Sequence, residues 1–220
     1  AFPRDLRSWG FFLAIAVIGN CLPFTLIAWG QQQVESGLAG ILAAITPLCV
    51  VLIGHFVLPE GRLKLSQMAG FLVGFSGVVV LMGPESLLGL GGDSSHLWSQ
   101  FAVIAGAFCY ALATVITAKM PANQPLVASA AVMFLAGPIM MPATIPALEL
   151  MPEIPLKSIL AVVTLGAIGT AITSILYFWL VARAGARFTS LLNYLVPIWA
   201  VTLGILVLGE QLRITSIIAL

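Results

Sequence analysis

The side chains best placed to do chemistry in this chain are hydroxyl, phenol and amide groups that lie within long apolar runs. One set follows the spacing i, i+3, i+4 and i+7 of a single helix face: Thr170, Thr173, Ser174 and Tyr177. A buried hydroxyl or amide without a partner costs about 2–7 kcal/mol in an apolar medium, so such groups should face each other, a cavity or a ligand. The stripe therefore predicts the wall of a cavity that binds a small polar molecule.

Further polar groups lie at matching depths in other apolar runs. Together they predict one central substrate-binding cavity, lined by Asn20, Thr46, Tyr110, Thr114, Thr170, Thr173, Tyr177, Asn193 and Tyr194. For each residue taken singly the alternative is a hydrogen bond between two helices, worth about 0.6 kcal/mol on average in a membrane. For the stripe as a group we favour the cavity wall.

Motifs for catalysis are absent from the sequence. It has no CxxC, HExxH, P-loop or GxSxG pattern, and its two histidines, His55 and His96, are far apart. The cysteines Cys21, Cys49 and Cys109 lie in apolar runs without the spacing of metal ligands. We therefore predict that the protein is not an enzyme and binds no metal and no cofactor.

Long apolar runs make up most of the chain. Of its 220 residues 60% are hydrophobic and 8% are charged, whereas a soluble domain carries about 25% charged residues. The mean hydropathy is +1.12. Each complete run is close to the ~20 residues that a helix needs to cross a bilayer. The runs predict membrane-spanning helices at 11–29, 37–58, 66–83, 98–118, 126–146, 157–180 and 188–208, with an eighth beginning near 212. A soluble helical core would need polar helix faces, which are lacking.

Residues 28–70 and 178–220 align without a gap at an offset of 150 positions, and we call residues that far apart repeat equivalents. Identical pairs at this offset include Gly19 and Gly169, Trp29 and Trp179, Pro47 and Pro197, and Glu60 and Glu210. An inverted duplication on this scale is typical of secondary transporters. The expected fold class is an all-α membrane protein built from two inverted five-helix repeats.

The repeat also predicts the domain organisation. We expect the first repeat at 1–83, an outer linker at 84–97 and the second repeat at 98–220. Ten transmembrane helices are expected in the complete protein, of which about eight are visible here. On this view two helices precede the first residue and the last helix is truncated.

Pro47 and Pro197 fall in the interior of equivalent predicted spans. A proline inside a helix frees the carbonyl group four residues earlier, here that of Ala43 or Asn193. Within a membrane a freed carbonyl is tolerated where something else satisfies it, often at a cavity. We predict that the two prolines are hinges beside the cavity, with a simple packing kink as the alternative.

Basic residues predict the orientation of the chain. One set of predicted loops carries Arg4, Arg7, Arg62, Lys64, Lys119, Arg183 and Arg187, and the opposite set carries only Lys157 and Arg213. By the positive-inside rule the first set is cytoplasmic. We therefore expect a multi-pass protein of the bacterial inner membrane whose visible N-terminal end is cytoplasmic.

Several segments resemble the EamA domain, the ten-helix branch of the drug/metabolite transporter superfamily. They include 176–180, 190–197 and 208–212 in the second copy, and 36–39, 46–48 and 59–60 in the first. Pro59 stands where the second copy keeps Gly209. The resemblance covers nearly the whole chain and implies the export of amino acids, metabolites or drugs across the bacterial inner membrane.

Our expectation is a secondary transporter that exports amino acids or similar small metabolites by alternating access. A lipophilic-drug exporter is the alternative, but it would favour a carboxylate near the centre of a span, and the predicted spans contain none. A membrane scaffold without transport would not explain paired prolines in inverted copies. The expected partners are a small-molecule substrate and the lipid bilayer, not nucleic acid. A coupling proton and the oligomeric state are left open.

Overall fold

The structure of the chain is a computed structural model that describes residues 2–58, 65–82, 84–149, 155–196 and 198–199; the side chains at 84–85 and 143–149 are outside this description. The described residues contain helices and no β-strand. Their α-helices are α1 (Leu6–Ala16), α2 (Leu22–Gly30), α3 (Ser36–Ala43), α4 (Thr46–Val57), α5 (Leu65–Met82), α6 (Ser94–Lys119), α7 (Pro125–Glu149), α8 (Leu156–Thr164) and α9 (Thr173–Ser190).

Six helical stretches of the described residues are long and apolar enough to cross a membrane. They are Leu6–Gly30, Ser36–Val57, Leu65–Met82, Ser94–Lys119, Pro125–Pro142 and Leu156–Ser190. This confirms the predicted all-α membrane class and the first six predicted spans. The last two spans, at 188–208 and from 212 onward, lie largely outside the described residues.

Two of these stretches contain a π-helical segment. The π-helical segment Val17–Cys21 joins α1 to α2, and the π-helical segment Leu165–Ile172 joins α8 to α9. A π-turn inserts one extra residue into the helix, and such turns frequently occur at functional sites. The two segments lie at repeat-equivalent positions, which the sequence analysis did not anticipate.

Carboxylates cap two helices at the ends of the apolar stretches. Asp5 accepts a hydrogen bond from the backbone N–H of Ser8 at 2.8 Å, and Asp93 accepts one from the backbone N–H of His96 at 3.0 Å. Both are helix N-caps. The backbone N–H groups stabilise the charged carboxylates and lower the pKa of both Asp5 and Asp93 below the ordinary value.

The predicted outer linker at 84–97 contains helical turns. Residues Pro84–Gly89 form a 3₁₀-helix, and α6 already begins at Ser94 because Asp93 caps it. The side-chain amide of Gln100 donates to the carbonyl oxygens of Gly89 (2.8 Å) and Gly91 (3.0 Å). These bonds join the connection to the first turns of α6.

Helix α6 lies at the centre of the bundle, where it packs against α2, α3, α4 and α9. Glycines allow its approach to α2. A Cβ atom at Gly106 would lie 2.6 Å from Ile27 Cγ1, and one at Gly30 would lie 2.6 Å from the carbonyl oxygen of Ser99. Small residues of this kind let two membrane helices pack backbone against backbone.

A second packing layer joins α1, α7 and α9. Its buried side chains include Phe12, Ile15, Ala131, Val132 and Phe178. The small alanines of α7 leave room for the aromatic rings of the neighbouring helices. This layer and α6 enclose the cavity described next.

Candidate functional site

A cavity of about 320 Å³ lies between α6, α7, α9 and the two π-helical segments. Eight of the nine residues predicted for a central cavity line it: Asn20, Thr46, Tyr110, Thr114, Thr170, Thr173, Tyr177 and Asn193. Ser174, the fourth member of the predicted stripe, lines it too. The structure thus brings these side chains together, and their role in binding a substrate stays a prediction.

Tyr194 lies elsewhere. Its ring is buried among apolar residues that include Val51 and Val78, and its hydroxyl donates to the carbonyl oxygen of Phe71 at 3.1 Å. A Cβ atom at Gly74 would lie 2.6 Å from the ring. Successive residues of a helix are about 100° apart, so the neighbour of Asn193 faces α5 instead of the cavity.

The two π-helical segments supply matching parts of the wall. The amide of Asn20 donates to the carbonyl oxygen of Ile15 at 3.3 Å, and the hydroxyl of Thr170 donates to that of Leu165 at 3.4 Å. Each bond reaches back five residues. The two donors are repeat equivalents of each other, and so are the two acceptors. Thr173 makes a third such bond to Ile168 at 3.4 Å. Each polar side chain therefore satisfies a carbonyl group of its own wide turn.

The signal for these segments was present in the sequence but was not recognised. Gly19 and Gly169 each stand directly before a hydrogen-bonding side chain at repeat-equivalent positions. A glycine followed by a donor that can reach its own backbone is compatible with a wide turn. Periodicity alone cannot distinguish such a turn from a continuous α-helix, because one extra residue shifts the pattern only locally.

A hydrogen bond between side chains crosses the wall of the cavity. The Tyr177 hydroxyl donates to Thr114 Oγ1 at 2.9 Å, and the Thr114 hydroxyl donates to the carbonyl oxygen of Tyr110 at 2.8 Å. The Tyr110 ring meets Phe24 edge to face, with ring centroids 6.3 Å apart. This network fixes the phenol of α9 against α6.

Thr46 lies at a break in the second stretch, between α3 and α4. Its hydroxyl is 2.8 Å from the carbonyl oxygen of Ala43 and 3.3 Å from that of Ala107 in α6. Pro47 is buried in the first turn of α4, where a proline is well tolerated. The carbonyl expected to be freed by Pro47 is thus satisfied by the neighbouring threonine.

Pro47 thus lies within the apolar stretch Ser36–Val57, at the break where α4 begins. Pro47 does not line the cavity, whereas Thr46 does. Pro197 lies outside the described residues. A hinge role for either proline stays a prediction.

The EamA-like transporter family matches residues 2–83 and 97–220. The chain belongs to this family. This confirms the resemblance that the sequence motifs indicated.

Relatives of this EamA-like chain include proteins named as transporters. It is 25% identical over 195 residues to the uncharacterized transporter YoaV of Bacillus subtilis, covering 88% of this chain and 65% of that protein. It is 27% identical over 183 residues to the uncharacterized inner membrane transporter YedA of Escherichia coli, covering 83% and 57%. It is 28% identical over 186 residues to the probable terminal-alkyne amino-acid exporter of Streptantibioticus cattleyicolor, covering 84% and 60%.

The chain therefore spans less than two thirds of the length of these relatives. A solved crystal structure superposes on it with a TM-score of 0.76, covering 98% of this chain and 72% of the other at 22% identity. That likeness supports the fold alone.

The electrostatic character of the cavity in this EamA-like chain is neutral. Among the described residues, its lining holds hydroxyl, phenol and amide groups and no acidic or basic side chain. Thr114 is buried and Asn20 is half-buried, whereas Thr170, Thr173 and Asn193 are exposed. The site can form hydrogen bonds with a polar or zwitterionic molecule without contributing a charge of its own.

Proposed function

We propose that this chain is part of a secondary transporter that exports amino acids or similar small metabolites across the bacterial inner membrane by alternating access. The observation that carries the proposal is the neutral polar cavity, which both copies of the repeated unit line at equivalent positions. Gly19 and Gly169 form one such pair, and Asn20 and Thr170 form another.

The size and chemistry of the cavity favour a small substrate. About 320 Å³ is at the lower end of the ~300–1,000 Å³ typical of ligand pockets. Hydroxyl and amide groups can pair with both the ammonium and the carboxylate of a zwitterion. Phe24, Val132 and Met133 add apolar surface that an aliphatic side chain could contact.

A relative supports the same substrate class. The Streptantibioticus cattleyicolor protein is named a probable terminal-alkyne amino-acid exporter. For the lipophilic-drug alternative we would expect a carboxylate in the cavity, and none lines it among the described residues. We therefore favour a zwitterionic substrate over a lipophilic cation.

The proposal includes an orientation. Lys119 ends α6, and the stretch Leu6–Gly30 runs antiparallel to α6, with Gly30 beside Ser99 and Gly19 beside Ala113. Arg4 and Arg7, which precede this stretch, therefore lie at the same end of the bundle as Lys119. Arg183 and Arg187 lie near the end of α9. By the positive-inside rule we assign this end, the basic face, to the cytoplasm.

The test is transport by the full chain in proteoliposomes, with radiolabelled L-methionine as the amino acid and ethidium as the lipophilic cation. We expect saturable transport of L-methionine. If the chain transports ethidium but not L-methionine, the drug-exporter alternative replaces the proposal. If it transports neither compound, both hypotheses are contradicted.

A matched pair of isosteric substitutions links the transport to the cavity. Thr170→Val removes a hydroxyl from the lining, whereas Thr164→Val removes one that bonds to its own helix at Leu160 outside the cavity. We expect Thr170→Val to raise the KM for L-methionine by about 2- to 10-fold, the worth of one hydrogen bond, and Thr164→Val to leave it unchanged. If both substitutions change the KM equally, the Thr170 hydroxyl stabilises its helix and does not bind the substrate.

A further inference from the structure

A second cavity, of about 570 Å³, opens at the basic face of the bundle. It lies between the end of α6, the loop before α7 and the part of α9 from Phe178 to the kink at Gly185. Its polar lining residues include Thr117, Asn123 and Arg183. We call it the Arg183 cavity, to distinguish it from the central cavity.

The two cavities are stacked along one groove. The same three helices line both of them, one turn apart: Thr114 and Thr117 on α6, Val132 and Ala128 on α7, and Tyr177 and Val181 on α9. Phe178 lines both cavities and is only 4% exposed. Among the described lining residues Phe178 alone is shared by the two cavities.

This ring is held by its neighbour on α9. Phe178 meets Tyr177 edge to face, with ring centroids 5.7 Å apart, and Tyr177 is itself fixed by its hydrogen bond of 2.9 Å to Thr114. Breaking that bond would free the Tyr177 ring, and the Phe178 ring would then lose a fixed contact. The Phe178 ring thus contacts a ring that a hydrogen bond joins to α6.

The cavities differ in charge. The central cavity has no charged side chain among the described residues, whereas the Arg183 cavity has a guanidinium group and no acidic side chain in the described part of its lining. The Arg183 guanidinium carbon lies 5.7 Å from the centroid of the Trp179 ring. Stacking uses the flat face of a guanidinium and leaves its in-plane N–H donors available for a carboxylate.

We propose that the Arg183 cavity is a recruitment site that binds the carboxylate group of the substrate at the basic face, and that Phe178 is the partition the substrate must pass to reach the central cavity. This inference rests on the proposed function, because it takes an amino acid as the substrate. It adds a second binding site and a residue that controls passage between the two.

The recruitment site is tested by removing charges from protein and substrate in turn. In proteoliposomes of the full chain we compare L-methionine with L-methioninamide, which lacks the carboxylate. Arg183→Ala should raise the KM for L-methionine about tenfold with little change in kcat, and Arg183→Lys should restore part of the loss. The KM for L-methioninamide should not respond to either substitution.

Lys119→Ala is the control, since Lys119 is exposed at the same face but does not line the cavity. The recruitment site would be overturned if Arg183→Ala left the KM for L-methionine unchanged. It would also be overturned if Arg183→Ala changed the KM for L-methioninamide as much as that for L-methionine, or if Lys119→Ala raised the KM for L-methionine as much as Arg183→Ala does. If the unmodified chain transports no amino acid, the proposed function fails, whereas the partition can still be tested by labelling.

The partition is tested with a single cysteine in the central cavity. Cys21, Cys49 and Cys109 are replaced by serine, Thr170→Cys is added, and a membrane-impermeant methanethiosulfonate reagent is applied to the basic face in vesicles of known orientation. Phe178→Ala should raise the labelling rate about tenfold, whereas Phe178→Leu should raise it much less because it keeps most of the volume.

Because Phe178 is a core residue, a variant that preserves the ring volume is needed as well. Tyr177→Phe removes only the hydroxyl that bonds to Thr114, and we expect it to raise the labelling rate about threefold in folded protein. Labelling rates that stay unchanged in Tyr177→Phe and in every folded Phe178 variant would overturn the partition.

Discussion

The stretches Leu6–Gly30 and Leu156–Ser190, which we call the first and second copy because the predicted repeat pairs them, lie in different surroundings. Each contains an α-helix, a π-helical segment and a second α-helix, in that order. In each, a side chain in the π-helical segment bonds to the carbonyl group five residues earlier, through Asn20 in the first copy and Thr170 in the second. The internal geometry of the unit is therefore repeated.

The surroundings are not repeated. In the first copy α1 buries Phe12 and Ile15, and a Cβ atom at Gly19 would lie 2.8 Å from Ala113 Cβ. In the second copy α8 buries no residue against the described part of the chain, and among the described residues a Cβ atom at Gly169 would meet Leu165, at 3.0 Å. The same wide turn therefore forms in both places, although the described contacts around it differ.

The first copy passes α6 in an antiparallel direction. The end of α2 lies near the start of α6, through Gly30 and Ser99, and Gly19 lies near Ala113 toward the other end of α6. Helix α7 runs parallel to the first copy, since Cys21 contacts the carbonyl oxygen of Ala136 at 3.8 Å and Thr25 contacts Met140 at 3.9 Å.

The second copy passes α6 in the parallel direction. Thr173 lines the central cavity together with Tyr110, and ten or so residues later Gly185 lines the Arg183 cavity together with Asn123. Opposite directions of the two copies are what an inverted repeat requires. The rotation that would superpose the whole repeats stays a prediction.

The largest effect that would test this comparison concerns the paired glycines. Gly19→Ala forces a methyl group against Ala113 and should lower the free energy of unfolding by about 1–3 kcal/mol, the usual cost of overpacking. Gly169→Ala should be nearly neutral, since only the flexible end of Leu165 must move. Thermal unfolding of both variants in detergent is the measurement, and equal destabilisation would show that the surroundings of the copies do not differ as described.

A second substitution makes the first copy resemble the second. The repeat equivalent of Thr46 is Val196, so Thr46→Val removes the hydroxyl that satisfies the Ala43 carbonyl and contacts that of Ala107. We expect a loss of about 1–2 kcal/mol in the free energy of unfolding, because a buried carbonyl group loses its partner. Pro47→Ala is the control and should be milder, since Pro47 lies in a first helical turn. If Pro47→Ala lowers the free energy of unfolding more than Thr46→Val does, the proline and not the threonine is the main determinant of the break between α3 and α4.

The smallest effect is expected for an exchange between equivalent positions. The double variant Asn20→Thr with Thr170→Asn keeps a donor at both π-helical segments and should change the KM for L-methionine by about twofold or less. Asn20→Ala alone leaves the Ile15 carbonyl without its side-chain donor and should raise the KM by about 2- to 10-fold. If the exchange is as harmful as Asn20→Ala, the two positions are not equivalent in function.

The sequence was sufficient to predict most of the cavity lining. Depth within an apolar run and helical spacing identified Thr173 and Tyr177, because a polar group in a membrane must find a partner or a cavity. The same reasoning misplaced Tyr194, since depth says nothing about which way a side chain points around the helix axis. The bond between Tyr177 and Thr114 was also beyond prediction, because it depends on how α6 and α9 pack.

The glycine contacts between α2 and α6 have a mechanical consequence. With Gly30 against the Ser99 carbonyl and Gly106 against Ile27, neither helix can slide along the other without a collision of backbone and side-chain atoms. Under the proposed function we expect α2 and α6 to move as one rigid body. Opening of the central cavity to one side of the membrane would then require movement of α7 and α9 relative to this body.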